Sequence, residues 1–281
     1  MTKPQNIAAI IVTFQSYSTI QRCVLALSKS TEISEICIVD NASSDKTIHI
    51  VEQLAATDHR IQIICNKHNV GFAKACNQGA DATSAPWIVF INPDALVEAK
   101  ILPTLLQHAQ ALEPAILGVE QIDLEGKTDP AVRRKEPEFA KMLYAPWQYM
   151  RLAVEKQVDK DIQDVPALSG AFLCMSRKTL LEIGGWDSQY TLHAEDLDLC
   201  KRAHLHGVRV AILNKIHITH IRGVSSKSHP FFVEWHKHRG LWRYFCKYQA
   251  KSHSHLVCFA VWLAIWLHAG IKALRQCVLR H

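Results

Sequence analysis

The alternation of two hydrophobic periods over the first 120 residues constrains the fold of this chain more than any other feature. Short runs rich in β-branched residues recur at residues 7–12, 35–39, 61–65, 87–91 and 116–119. Segments with helical periodicity separate them, at residues 19–29, 46–56, 72–83 and 98–111. Strands that alternate with helices of this length form βαβ units. The sequence therefore predicts an α/β fold whose mostly parallel central sheet is flanked by helices.

Polar residues follow four of the predicted strands, at the point where each strand ends. The segments that contain them are Thr13 with its neighbour Phe14, Asp40 and Asn41, residues 66–71, and residues 92–94. Ligands of parallel sheets bind beyond the carboxyl ends of the strands. We therefore expect one ligand site along this edge.

The pattern loosens after residue 120. Residues 121–165 carry Pro130, Pro137 and Pro146, with a helix predicted around residues 139–154. An irregular stretch of this length is typical of a substrate-binding segment or a lid. Strands are then predicted at 167–175, 208–213 and 216–221, and helices at 195–206 and from residue 230 onward, the first of these ending before a C-cap glycine.

Charge and cysteine usage bear on the partners and the compartment. From Lys201 to the end there are fourteen lysine and arginine residues against a single acid, Glu234. A basic tail indicates contact with phosphates of a membrane or an anionic substrate, the alternative being a basic solvated face. The nine cysteines form no C-x-x-C pair, so we expect neither disulfides nor a zinc site. The apolar run at 7–12 is too short for a signal peptide, and we expect a cytoplasmic protein.

The tail contains an apolar segment at residues 256–271, with Trp262 and Trp266, that is broken only by His268. It is shorter than the roughly 20 residues that span a bilayer. An apolar helix with tryptophans and basic flanks is suited to lie on the cytoplasmic face of a membrane as a peripheral anchor. The alternatives are a helix packed on the rest of the protein and a homodimer interface.

Seven motifs follow one another along the chain, each weak alone. They are Ile-Val-Asp-Asn-Ala-Ser-Ser-Asp at 38–45, Asn-Val-Gly-Phe-Ala-Lys-Ala-Cys-Asn-Gln-Gly at 69–79, Phe-Ile-Asn-Pro-Asp at 90–94, Ser-Gly-Ala-Phe at 169–172, Gly-Gly-Trp-Asp at 184–187, Ala-Glu-Asp-Leu-Asp-Leu-Cys at 194–200 and His-Ile-Arg-Gly-Val-Ser at 220–225. Together they closely resemble the inverting glycosyltransferases of family 2, in particular the bacterial rhamnosyltransferase-like branch.

The resemblance implies a GT-A type nucleotide-diphospho-sugar transferase fold. It implies a catalytic domain at 1–229, with a nucleotide-binding half at 1–120 and an acceptor-binding half at 121–229, and a helical tail at 230–281. The implied reaction transfers one sugar, and the expected sugar is rhamnose from dTDP-rhamnose. The implied acceptor is a hydroxyl of a glycan or a polyprenyl-diphosphate-linked glycan in cell-surface polysaccharide or lipopolysaccharide biosynthesis. No nucleic-acid partner is expected.

The resemblance also implies roles for individual residues. The donor pocket would be formed by residues that contact the base or line the nucleotide sugar. These are Thr13, Phe14, Asp40, Asn69, Gly71, Asn77 and Asn92. Asp40 would accept a hydrogen bond from the base, as an ionised carboxylate can. Gly71 would let the backbone approach the ligand without a Cβ in the way.

The remaining roles concern the metal, the acceptor and the base. Asp94 and His220 would hold a divalent cation, Mn²⁺ or Mg²⁺, and imidazole favours Mn²⁺. Asp196 would be the general base, and Trp186, Asp187 and Glu195 would contact the acceptor. Acids at a predicted helix start are also favoured by the helix dipole, and Trp186 could equally anchor the core.

Two other kinds of protein stay open as alternatives. One is a catalytically inactive nucleotide-sugar binding protein. The other is a nucleotidyltransferase, although the glycine-rich phosphate loop usual for that class is missing after the first strand. The chain also lacks the G-x-G-x-x-G of Rossmann dehydrogenases and the G-x-x-x-x-G-K-[ST] of P-loop proteins.

Overall fold

The computed structural model describes residues 6–221 and 230–278. Its first half is a run of strand–helix units. These are β1 (Ile7–Thr13), α1 (Ile20–Ser28), β2 (Ile33–Asp40), α2 (Thr47–Ala55), β3 (Ile61–Cys65), α3 (Phe72–Asp81) and β4 (Trp87–Ile91). A short strand β5 (Ala95–Leu96), a single 3₁₀ turn (Ala99–Ile101) and helix α4 (Leu102–Ala111) complete it.

The second half holds shorter and less regular elements. They are β6 (Ala115–Ile122), β7 (Arg133–Arg134), α5 (Phe139–Tyr144), α6 (Pro146–Tyr149), β8 (Ile162–Asp164), β9 (Ala167–Leu168), β10 (Phe172–Ser176), α7 (Arg177–Glu182), α8 (Glu195–Leu205) and β11 (Arg209–His220). The chain ends in α9 (Pro230–Tyr248), a 3₁₀ turn (Ala250–Ser252) and α10 (His255–Val278).

Parallel pairing aligns the carboxyl ends of the first strands. Strands β3, β2, β1 and β4 lie side by side in that order, with Thr13 opposite Asp40 and Ile11 opposite Ile91. All seven residues of β1 are buried, as expected for a parallel strand covered on both faces. This register brings the residues after β1, β2 and β4 to one edge of the sheet.

Beyond β4 the sheet becomes mixed. Strand β10 lies antiparallel between β4 and β6, while β11 runs parallel to β6 and antiparallel to β5 and β8. A parallel neighbour needs a long crossover connection. Strand β10 instead begins at the edge where the ligand site is expected, because its first residue, Phe172, pairs with Ile91 at the end of β4. The predicted α/β fold is confirmed, with the purely parallel order confined to its first four strands.

Several predicted elements have different bounds in the structure. The strand expected at 167–175 is two strands, β9 and β10. The helix expected at 139–154 is the pair α5 and α6, separated at Ala145 because the following Pro146 disfavours helical backbone at the preceding residue. The two strands expected at 208–213 and 216–221 are one strand, β11, whose register shifts between Leu213 and His217.

The tail helices pack on the rest of the protein. Tyr244 and Phe245 of α9 are fully buried and belong to the same apolar cluster as Trp186. Trp266 of α10 packs on Trp235 of α9, with ring centroids 4.7 Å apart. The packing is therefore continuous from the sheet into α9, across the boundary expected at residue 230.

One helix in the described part of the chain is long and apolar enough to cross a membrane by length and composition. It is the 255–273 stretch of α10, which has a mean hydropathy of 1.8 and only 11% of its residues buried. Core helices of soluble proteins pass the same test, but this helix is mostly exposed. Its outward residues include Leu256, Phe259, Leu263 and Leu267.

Candidate active site

A cleft of about 430 Å³ opens at the carboxyl edge of the sheet. Seven of the residues predicted from the sequence line it. They are Phe14, Asn69, Asn92, Asp94, Glu195, Asp196 and His220. The first four come from the strand–helix half and the other three from α8 and β11, so the cleft lies where the two halves meet.

Strand pairing brings Asp94 and His220 together. His220 is the last residue of β11 and pairs with Ala95, the first residue of β5. Its Nε2 lies 3.1 Å from Oδ1 of Asp94, and the backbone N–H of Ile221 donates to the Asp94 carbonyl oxygen at 2.9 Å. Both side chains are about one tenth exposed.

The chemistry of this pair suits a divalent cation. His220 Nδ1 lies 3.1 Å from Oε1 of the buried Gln121 side chain. If Nδ1–H donates to that amide oxygen, the Nε2 lone pair faces the Asp94 carboxylate. Two acceptors in contact need a proton or a cation between them. Among the described residues, no group of three or more histidine, cysteine or acidic side chains is placed to hold a metal ion, so oxygen atoms from a bound ligand would have to complete the coordination shell.

Asp196 lies at the start of α8 and is held by three donors. The backbone N–H groups of Gly170 and Leu197 donate to its carboxylate at 3.0 and 2.8 Å, and the Arg134 guanidinium forms an ion pair with Oδ2. Arg134 also donates to the Leu168 carbonyl oxygen at 2.8 Å. The carboxylate, about 13% exposed, is thereby fixed in one orientation at the cleft wall.

Glu195 has a different environment from its neighbour. It is 7% exposed, and its Oε2 has no hydrogen-bond partner among the described residues. Burial, together with the charge of Asp196, raises the pKa of Glu195 well above its usual range. The raised pKa favours the protonated form of Glu195, in which the carboxyl group can donate a hydrogen bond.

The third acid of the helix start, Asp198, is structural. It is fully buried and accepts hydrogen bonds from Arg202 Nε at 2.7 Å, Lys247 Nζ at 2.6 Å and Tyr248 OH at 2.8 Å. The helix dipole alone does not account for an acid at position 198, because Asp198 also accepts hydrogen bonds from two residues of α9.

Thr13 and Asp40 do not line the cleft. Both are buried, and Thr13 Oγ1 donates to Asp40 Oδ1 at 2.9 Å. Ser43 donates to the same carboxylate through its hydroxyl and its backbone N–H, at 2.6 and 2.8 Å. These three hydrogen bonds from the protein use most of the lone pairs of the Asp40 carboxylate, which was expected to accept a hydrogen bond from the nucleotide base.

Gly71 is required by the packing of the protein's own backbone. Its φ is +90°, and a Cβ at this position would lie 2.9 Å from the Thr191 carbonyl oxygen. Phe72 N–H donates to that same oxygen at 3.0 Å. The backbone that approaches Gly71 is thus that of the protein.

Asn77 and Trp186 form a core unit away from the cleft lining. The Asn77 side-chain amide exchanges two hydrogen bonds with the Trp186 backbone, at 2.8 and 2.9 Å. The indole ring, 2% exposed, makes edge contacts with Phe72 and Phe90 at centroid distances of 5.5 and 5.2 Å. This favours the core-anchor alternative for Trp186 over an acceptor contact.

Asp187 is also engaged within the protein. Arg243 and Lys247 of α9 each donate to its Oδ2 at 2.8 Å. Burial alone would raise the pKa of Asp187, but the hydrogen bonds from these two cations outweigh it and hold the pKa at about 2. Its role in the described structure is to tie the Gly-Gly-Trp-Asp turn to α9.

Sequence reasoning missed several residues that line the cleft, above all Arg134. Only the clustering of charge at residues 133–135 marks it in the sequence, and that pattern is common on solvated surfaces. Phe232 and Val233 of α9 also line the cleft, although α9 was assigned to the tail. The last motif, at 220–225, is described only at His220 and Ile221, and Arg222 to Ser225 lie outside the described residues.

Comparison with known proteins bears on the family and the fold of this chain. The sequence profile of glycosyl transferase family 2 matches residues 8–184. Glycosyltransferase GlyG of Streptococcus pneumoniae serotype 4 is 25% identical over 37% of this chain, a match that spans only about a third (35%) of that relative's length. The N-acetylglucosaminyl-diphospho-decaprenol L-rhamnosyltransferase of Mycobacterium tuberculosis is 23% identical over 83% of this chain and 85% of its own.

A solved structure has the same fold. The mannosyltransferase PcManGT from Pyrobaculum calidifontis, in complex with GDP-Man and Mn²⁺, superposes with a TM-score of 0.57 at 16% identity. The match covers 97% of this chain and 75% of that protein. With the profile match over more than half of its length, this chain belongs to glycosyl transferase family 2 and has the GT-A fold expected from its motifs.

Proposed function

We propose that the chain is a metal-dependent inverting glycosyltransferase that moves a single sugar from a nucleotide diphosphate donor to an acceptor hydroxyl. One observation carries the proposal: a single cleft contains both the Asp94–His220 pair and the fixed carboxylate of Asp196. The first suits a diphosphate-bound cation and the second suits a general base.

The reaction divides between these two parts of the cleft. The acceptor hydroxyl attacks the anomeric carbon, and Asp196 takes its proton as the new C–O bond forms. The bond from the anomeric carbon to the diphosphate oxygen breaks, and the nucleoside diphosphate leaves from the opposite face, which inverts the anomeric centre. A cation held by Asp94 and His220 would supply positive charge for the departing diphosphate. Neutral Glu195 would donate a hydrogen bond to the acceptor.

The donor and acceptor are proposed more specifically from the relatives. We infer rhamnose from dTDP-rhamnose because the M. tuberculosis rhamnosyltransferase aligns over most of both chains. The name of that relative also describes a lipid-linked acceptor, and we infer a glycan or polyprenyl-diphosphate-linked acceptor here.

A peripheral position on the cytoplasmic face of the membrane would suit such an acceptor. The exposed apolar face of α10 offers a surface for the bilayer, with Leu256 82% and Phe259 61% exposed. Phe232 and Val233 at the cleft belong to α9, on which α10 packs. Helix α9 therefore connects the cleft to the helix that would meet the membrane. The competing proposal is that a second copy of the chain covers this face of α10 in a homodimer.

A screen of nucleotide sugars tests the donor and the reaction together. The full chain is incubated with Mn²⁺ and dTDP-rhamnose, UDP-GlcNAc or GDP-mannose, and thermal shift and donor hydrolysis are measured. We expect dTDP-rhamnose to give the largest shift and to be hydrolysed slowly, and Asp196→Asn to bind it without hydrolysis. Preference for another sugar would overturn the rhamnose assignment.

The same screen separates the two other classes of protein. Binding of a nucleotide sugar with no hydrolysis and no transfer by the wild type would favour an inactive binding protein. Release of pyrophosphate from a nucleoside triphosphate and a sugar phosphate would favour a nucleotidyltransferase.

A further inference from the structure

The loop that carries the proposed base into the cleft has an unusual backbone. Residues 191–194 precede α8, and both His193 and Ala194 have φ near +67°. A left-handed conformation is uncommon for residues other than glycine. Such backbone persists where its surroundings fix it. The contacts around this loop therefore decide where α8 begins and where Asp196 lies.

Helix α9 makes one of these contacts through a glycine. A Cβ built on Gly240 would lie 2.6 Å from the His193 carbonyl oxygen and 3.4 Å from the Cβ of Ala194. The first distance is shorter than any normal carbon–oxygen contact, and the oxygen belongs to backbone that cannot rotate away. The helix and the loop therefore meet backbone to backbone, an approach that only glycine permits.

The same helix holds the first turn of α8. Lys247 Nζ donates to Asp198 at 2.6 Å, and Tyr248 OH donates to the same carboxylate at 2.8 Å. Positions 240 and 247 are two helical turns apart and so share one face of α9. One face of α9 thus fixes both the loop before Asp196 and the helix after it.

We propose that Gly240 is a positioning residue for catalysis, because α9 seats the 191–194 loop and thereby places the Asp196 carboxylate at the acceptor hydroxyl. The proposal rests on the proposed function, in which Asp196 is the base. It assigns to α9 a part in the reaction, in addition to any contact that the tail makes with a membrane.

The test compares two glycine-to-alanine variants in the full chain. Gly240→Ala introduces the clash with the His193 carbonyl oxygen. Gly270→Ala is the matched control, since Gly270 lies within α10 and a Cβ there would meet no atom within 4 Å. Alanine is favoured over glycine in the interior of both helices, so a difference between the variants reports the contact.

Two measurements are made on each variant. The first is hydrolysis of the nucleotide sugar that the wild type turns over, with the donor Kd measured separately. We expect kcat to fall about tenfold or more in Gly240→Ala with Kd within about twofold, since a displaced catalytic group costs rate more than donor binding. The second is amide hydrogen exchange, which should accelerate at residues 191–198 in Gly240→Ala alone. Gly270→Ala should match the wild type in both.

The possible outcomes separate this proposal from the proposed function. If Gly240→Ala matches Gly270→Ala in both measurements, the positioning role is wrong. If the wild type neither hydrolyses nor transfers any nucleotide sugar, the proposed function fails, and the exchange data still decide whether α9 fixes the loop. Should Gly240→Ala not fold, Lys247→Met replaces it with exposed Arg239→Met as control. Unchanged kcat and exchange in Lys247→Met would then overturn the proposal.

Discussion

Asp196 and Asp198 lie in the same turn of α8, and replacement by asparagine should affect a different property at each position. The first substitution should lower kcat, and the second should lower thermal stability. Asp196→Asn and Asp198→Asn each remove one negative charge from the start of α8 and preserve the shape of the side chain. Asp196 faces the cleft, whereas Asp198 is fully buried beneath donors from Arg202, Lys247 and Tyr248. The pair therefore separates a catalytic role from a structural one.

The magnitudes follow from the surroundings of each carboxylate. Removing one partner of a buried ion pair costs about 3–5 kcal/mol. We expect the lower end, about 3 kcal/mol, for Asp198→Asn, because asparagine still accepts a hydrogen bond and Lys247 keeps Asp187. This corresponds to a loss of roughly 6–10 °C in Tm for a chain of this size. The Arg134–Asp196 pair is 20% and 13% exposed and so keeps some contact with solvent, and asparagine still accepts hydrogen bonds, so Asp196→Asn should cost less, about 1 kcal/mol.

The assay combines thermal denaturation with donor hydrolysis at saturating nucleotide sugar. Asp196→Asn should lower kcat by at least about a hundredfold at nearly unchanged Tm and donor Kd. Asp198→Asn should show the large fall in Tm and a loss of kcat of no more than about tenfold, caused by a less firmly held α8. Equal losses of kcat in the two variants, or an equal fall in Tm, would refute the division of roles.

Three further predictions concern the metal, the pH dependence and the membrane. Asp94→Ala and His220→Ala should each abolish Mn²⁺-dependent donor binding, as EDTA should in the wild type; full hydrolysis in EDTA would contradict this. The raised pKa of Glu195 means that the folded protein keeps a proton which the unfolded chain loses near pH 4–5, so this residue lowers stability as pH rises. The Tm advantage of Glu195→Gln over the wild type should therefore be larger at pH 8 than at pH 5, and a constant difference would show that Glu195 is ionised. The full chain should co-sediment with anionic vesicles in a salt-sensitive manner, and glutamate at both Phe259 and Leu263 should weaken that binding; vesicle binding as strong as that of the wild type would instead favour a packing surface for α10.

The strand–helix half was predictable because its information is local. The strands of that half are rich in apolar β-branched residues, β1 and β4 without interruption, and polar residues follow them, so both the sheet and its ligand edge could be predicted from periodicity. The structure places Phe14, Asn69, Asn92 and Asp94 on the cleft accordingly. Position after a strand does not reveal the direction of a side chain, however, and Thr13 and Asp40 face each other instead.

The remainder of the site depends on pairings between distant segments, which a single sequence does not display. Arg134 reaches Asp196 across 62 positions, and Asn77 reaches the Trp186 backbone across 109. The resemblance to family 2 identified Asp196 but gave no indication of what holds it.

Helix α9 shows most clearly why this matters for function. Its composition indicated a basic tail, and its charges suggested phosphates as partners. In the structure, Arg243 and Lys247 instead form ion pairs with the acids Asp187 and Asp198, which lie outside the basic tail. Part of the positive charge of the tail is therefore neutralised inside the protein, where it holds α9 against α8. The basic side chains left over for a membrane are correspondingly fewer, and the apolar face of α10 must contribute more of any attachment.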